Sequence, residues 1–240
     1  MLYFIVVATI APIRKLAELK ETVISDSVFN QKNQWVLESD EAITLFKQKA
    51  FIEAQIKLAD SDSIGLVINL KDSTVTLVIK GVSIHVSKIE KMKIDRFFKA
   101  VHPLVYAKLF SVPLFMTSEN TSIVKEPIVI RKAPKDTIEA MATALVPQMP
   151  KQNPACFEIN LPNDFSVLLI QNELLTKEDR QVVRKFKAEQ RERNWKDNFK
   201  SVVHLKQVCY SPSITLWLDA NEIRSIYRAL PTRPAIVINY

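Results

Sequence analysis

The chain has 240 residues, 48% of them apolar and 25% charged, which is enough apolar matter for a packed core and argues against intrinsic disorder. The net charge of +7 permits attraction to nucleic acid, anionic lipid or another acidic polymer and selects none of them, because Lys and Arg are spread along the chain. Gly65 and Gly81 are the only two glycines, which argues against dinucleotide and P-loop sites; the two cysteines, Cys156 and Cys209, lack C-x-x-C spacing and leave one optional disulfide open.

The first stretch, LYFIVVATIAPI (Leu2–Ile13), is apolar but shorter than the roughly 20 residues that span a bilayer. Arg14 and Lys15 follow it, whereas a cleaved signal peptide carries basic residues ahead of its apolar run. Residues 1–13 therefore read in three ways: a truncated membrane anchor, a short segment in membrane contact, or a buried strand or helix. From Arg14 to about Asp60 the spacing predicts helix, with Ile43, Phe46, Ala50, Phe51, Ala54 and Leu58 on one face and Ser39 and Asp40 as caps. Residues 14–62 are expected to form a helical arm leading into a domain over 63–240.

At Ile64 the period changes from about 3.6 to two. IGLVINL, TVTLVIKG and VSIHVSKI read as a meander, with Ile64, Leu66, Ile68 and Leu70 on one face and Val75, Leu77 and Ile79 on one face of the next strand. A Phe-rich helix is predicted over about 91–101, burying Met92, Phe97, Phe98 and Val101. Further strands are predicted at Ile128–Arg131, Phe157–Leu161, Phe165–Ile170, Ile214–Leu218 and Ala235–Asn239, with a short helix at Thr137–Ala144 and a turn at LPND (Leu161–Asp164). A long charged helix is predicted over Lys177–Val203; its stretch 177–200 carries nine basic and five acidic residues, and Val182, Phe186, Trp195, Phe199 and Val203 form its apolar side.

Four stretches, in this order, resemble the L,D-transpeptidase (YkuD-type) catalytic domain, which crosslinks peptidoglycan stems. IGLVINLKDSTVTLVIKGVSIHVSKI (64–89) is similar to its opening hairpin, and EPIVIRKAPKD (126–136) to the segment that in active members reads as a Thr-Pro-Thr-Gly run followed by a strand. FEINLPNDFSVLLIQN (157–172) is similar to the hairpin ending in His-Gly, and NEIRSIYRALPTRPAIVIN (221–239) to the terminal helix and strand. The resemblance implies a mixed α/β, β-rich fold: a YkuD-like β-sandwich or barrel with a terminal helix and strand and the charged helix inserted at about 174–205.

The residues that perform the family's chemistry are replaced. Acyl transfer needs an activated nucleophile, a base within reach and preorganised amide donors, which the family supplies through an S-H-G-C-[IV]-R motif. Here YSPSITLWLD stands in that place: Ser211 matches the motif Ser, Pro212 falls at His, and Ser213 or Thr215, depending on register, falls at Cys. The His-Gly is Gln171-Asn172, and the Thr-Pro-Thr-Gly run keeps only Pro127. A displaced nucleophile built from Cys209 and His204 is the alternative, with Ser213 a weaker candidate because no base adjoins it. His85 reads as a sheet-surface residue and His102 as a helix-end residue; no metal spacing joins the three histidines and no cofactor is implied.

The resemblance implies a non-catalytic protein of the bacterial envelope, in the periplasm and attached to the inner membrane through its N-terminal stretch. Its partner would be peptidoglycan stem peptide or an envelope protein, with Gln171, Asn172, Tyr210, Ser213 and Trp217 lining the remnant groove. Trp217 also reads as a core residue, since Leu216 and Leu218 flank it. Nucleic acid is not expected: only Trp195 and Phe199 interleave with the basic helix residues, and its acids dilute the field. An active cysteine acyltransferase using Cys209, or a basic-surface binder of an anionic polymer, are the alternatives.

Overall fold

A computed structural model describes residues 11–24, 33, 36, 39–123, 154–174, 176–203 and 210–240. The chain is mixed α/β, with two open five-stranded mixed sheets sharing one core. The apolar stretch before Ala11, the predicted strand at Ile128–Arg131, the predicted helix at Thr137–Ala144, and both His204 and Cys209 lie outside the described residues. No described helix is long and apolar enough to cross a membrane.

Helix α1 (Ala11–Ile24) precedes α2 (Asp40–Ala59), whose start is set as expected by Ser39: its Oγ accepts from the Ala42 N–H at 3.1 Å. The meander follows as β1 (Gly65–Asn69), β2 (Thr74–Ile79) and β3 (Val82–Lys88). Next come β4 (Lys91–Ile94), α3 (Arg96–Ala100), α4 (Pro103–Phe110), β5 (Leu114–Phe115) and β6 (Ser118–Thr121). The rest comprises β7 (Cys156–Asn160), β8 (Ser166–Gln171), α5 (Lys177–Val203), β9 (Ser213–Leu218), α6 (Ala220–Ala229) and β10 (Ala235–Asn239). The LPND turn is a short 3-10 segment in which Asn163 and Asp164 take positive φ, a conformation these side chains tolerate.

The first sheet runs β3-β2-β1-β10-β5 and the second β4-β9-β8-β7-β6. In each, one central pair is parallel: β1 with β10, and β8 with β9. A parallel pair needs a long crossover, and for β8 and β9 that crossover carries α5. The inner faces pair Leu66, Ile68 and Ile236 of one sheet with Ile159, Leu169 and Leu216 of the other in the main core. Helix α6 adds Ile223, Ile226 and Tyr227 to that core, its Tyr227 ring 4.9 Å from Phe157.

Two differences from the sequence reading have local causes. Residues 91–94 form a strand rather than the first turn of a helix: K-M-K-I alternates, Met92 and Ile94 pack on the core, and Asp95 caps α3 by accepting from the Phe97 N–H at 3.0 Å. His102 stands at the start of α4, not at a helix end; its Nδ1 accepts from the Leu104 N–H, and Pro103 occupies the first turn. The arm expected over 14–62 is docked: α2 seats Ala54 and Leu58 on Val67, Ala235 and Val237, the outer face of the first sheet.

Both glycines serve that docking. A Cβ at Gly65 would lie 2.5 Å from Leu58 Cδ1 and 3.1 Å from the Ala235 carbonyl oxygen. Gly81 turns the β2–β3 hairpin at φ 79°, and a Cβ there would lie 3.2 Å from the Ala59 Cβ. Gly65→Ala is therefore expected to cost about 1–3 kcal/mol in urea unfolding through overpacking. Combined with Leu58→Ala it should cost clearly less than the two single changes added together, since the truncated leucine leaves room for the new methyl.

Candidate functional site

Strand β9 alternates cleanly. Ile214, Leu216 and Leu218 are buried in the core, and Ser213, Thr215 and Trp217 face outward. The register extends this outward face across the sheet: Ser213 stands beside Ser166, Thr215 beside Leu168 and Trp217 beside Ile170 on β8. On its other side Thr215 opposes Lys93, and Trp217 opposes Lys91. Helix α5 crosses above, anchored by Val183 and Phe186 on Cys156, Leu168 and Ile170. Its start is fixed by a reciprocal cap: Thr176 Oγ1 accepts from the Asp179 N–H at 3.0 Å, and the Asp179 carboxylate accepts from the Thr176 N–H at 3.1 Å.

Between helix and sheet lies a groove of about 420 Å³. Its floor carries the hydroxyls of Ser166, Ser213 and Thr215, and its walls include Lys93, Lys187 and Trp217. The ammonium groups of Lys91 and Lys187 sit 5.4 and 5.5 Å from the centre of the Trp217 ring, within cation–π range. Gln190, also at the groove, donates to the buried Glu158 carboxylate at 2.7 Å, which ties the helix to β7. The arrangement concentrates positive charge and hydroxyl groups around one indole, a combination suited to holding an anionic group beside an apolar one.

Of the residues the sequence reading assigned to the groove, Ser213 and Trp217 line it, and Trp217 is not in the main core. Gln171 lies on the opposite face: it is buried, accepts from the Ala155 N–H at 2.8 Å and donates to the Glu173 carbonyl at 2.6 Å, so it holds the β7–β8 ends together. Tyr210 is spent elsewhere too, its hydroxyl donating to Asp95 at 2.6 Å and its ring 6.2 Å from Phe97; burial, then the Asp95 carboxylate, push its ionisation far up. Asn172 is exposed beyond the end of β8 and donates to the Glu90 carboxylate. The described histidines are both outside the groove, and among the described residues no His, Cys, Asp and Glu group is placed to hold a metal.

The sequence reading missed one polar cluster. His85 and Ser87, two apart on β3, meet Glu222 in the first turn of α6: His85 Nε2 and Ser87 Oγ each lie 2.5 Å from the same Glu222 carboxylate oxygen. Both contacts converge on the acid, so the imidazole does not stand between hydroxyl and carboxylate as a nucleophilic triad requires. Ser87 is buried, and the cluster clamps α6 to the edge strand β3. No protein-family model, no curated protein and no solved structure matches the chain.

The Ser87 hydrogen bond, followed by His85, holds the Glu222 carboxyl below its usual value of 4.5. A depressed carboxyl contributes its stability above the unfolded-state value and loses it as pH falls through the folded one. Urea midpoints of the wild type should thus fall more between neutral pH and pH about 4 than those of Glu222→Gln, which lacks the titrating group. Cys156 is fully buried, and burial raises its thiol to about 11. Native protein should show no iodoacetamide labelling at Cys156 at neutral pH, with full labelling appearing only on unfolding.

Proposed function

We propose that this is a non-catalytic L,D-transpeptidase-like protein of the bacterial cell envelope that binds peptidoglycan stem peptide in the groove beneath α5. The order of the elements supports a YkuD-like framework, with two mixed sheets, a hairpin over residues 156–171 and a terminal helix and strand. The observation that carries the binding reading is the lining itself. The groove is lined by lysine ammonium groups, serine and threonine hydroxyls and an indole, and among the described residues no thiol or imidazole lines it. A peptide presents carboxylates for Lys93 and Lys187, and its apolar side chains fit the face of Trp217.

Such a site binds without turning over. Ser213 offers a hydroxyl, but a serine nucleophile requires a base to take its proton, and among the described residues no imidazole or carboxylate lines the groove. The same reading puts the protein in the periplasm, with the apolar N-terminal stretch as its inner-membrane contact.

A pull-down on purified sacculi, alongside calorimetry with a synthetic stem pentapeptide, tests the reading. Retention at low salt and measurable peptide binding are expected, both weakening as salt rises. Charge-assisted hydrogen bonds are worth about 1.5–3 kcal/mol, and solvent access at this groove brings each lysine nearer to 1 kcal/mol. Lys187→Met and Lys93→Met should each raise the dissociation constant about three- to tenfold, methionine keeping the aliphatic packing. No retention on sacculi at low salt, together with no peptide binding, would end the proposal.

A further inference from the structure

The outer face of the first sheet carries a second groove, and we propose that it is a binding site for a neutral, hydroxyl-rich ligand of the saccharide class. It lies between α2 and strands β1–β3, on the opposite side of the two-sheet core from the groove beneath α5, with a volume of about 260 Å³.

Its origin is the seating of α2. The helix packs Ala54 and Leu58 over β1 and β10, which leaves the outward residues of β2 and β3 uncovered along one flank. A sheet face beneath a helix ordinarily carries apolar side chains. Here it carries Thr74 and Thr76 on β2 and Ser83 on β3, while α2 contributes Gln55 and the half-buried ring of Phe51. Val67 supplies an apolar floor.

Three properties together select the ligand. No charged side chain lines the groove, so an ion would lose water without gaining a partner. Among the described residues the side chains of Gln55, Thr74, Thr76 and Ser83 make no hydrogen bond, and a wholly apolar ligand would strip them of water for nothing. Hydroxyls and a primary amide can each donate and accept, which is what a polyol requires, and the aromatic ring and valine methyls offer a surface to the C–H face of a sugar ring. The volume is slightly below the ~300 Å³ at which drug-sized pockets begin, which suits one sugar ring rather than an oligomer held along its length.

Ligand-observed NMR and calorimetry of the full chain with maltotriose, chitotriose and cellobiose at millimolar concentration, and glucuronic acid as the charged control, test this. At least one neutral saccharide should bind saturably and more tightly than the acid. Thr76→Val, isosteric and suited to a strand, and Gln55→Leu should each weaken that binding about two- to tenfold, the range for one lost hydrogen bond. Lys187→Met should leave it unchanged, which separates this site from the lysine-lined groove. The proposal is overturned by the absence of saturable binding to any neutral saccharide, by binding that survives the Thr76→Val and Gln55→Leu double variant intact, or by binding that depends on Lys187. Circular dichroism of each variant confirms that the fold is retained.

Discussion

The parallel pairing of β8 with β9 is the constraint on which the groove depends. It fixes Ser213, Thr215 and Trp217 outward beside Ser166, Leu168 and Ile170, and it buries Ile214, Leu216 and Leu218 in the core with the same alternation. A one-residue slip would reverse both assignments and put hydroxyls into the core, so the core enforces the face of the site. Parallel strands also cannot be joined by a tight turn. The charged helix that reads in the sequence as an insertion is the crossover this pairing demands, and its passage over the sheet is what turns a polar face into a groove.

The two outer faces solve the covering problem differently. On the first sheet, α2 approaches closely enough that Gly65 accommodates Leu58. On the second, α5 seats through Val183 and Phe186 alone among its described buried residues, over Cys156, Leu168 and Ile170, so that β9 and β4 are left to Lys187, Trp217 and the Lys91–Lys93 edge. The consequence is one uncharged groove and one basic groove on opposite sides of the molecule. A chain whose basic residues look evenly spread along its length thus still focuses charge at one place once β4 is paired with β9.

Much of this was legible in the residues. The period-two meander from Ile64, the Ser39 cap, the span of α5 and the final strand Ala235–Asn239 all follow from patterns that act over a few residues. The strand at 91–94 was not, because Phe97, Phe98 and Val101 extend a helical spacing backward over Met92, and only the pairing with β9 shows the lysines alternating. The direction of Gln171 was hidden for a similar reason: β8 is buried on both faces, so its unbroken apolar run carries no alternation to read. The Glu222 clamp joins residues more than 130 positions apart, and nothing local to His85 or Ser87 announces the acid that meets them.

The central claim is that a carboxylate-bearing peptide lies against β9 beneath α5. The indole N–H resonance of Trp217, assigned by Trp217→Phe and followed during titration with stem pentapeptide, reports on that contact directly. A saturable shift of this resonance, tracking the binding isotherm and weakened in Lys187→Met, is the expected result. Peptide that saturates the protein while the Trp217 signal stays still would contradict the account.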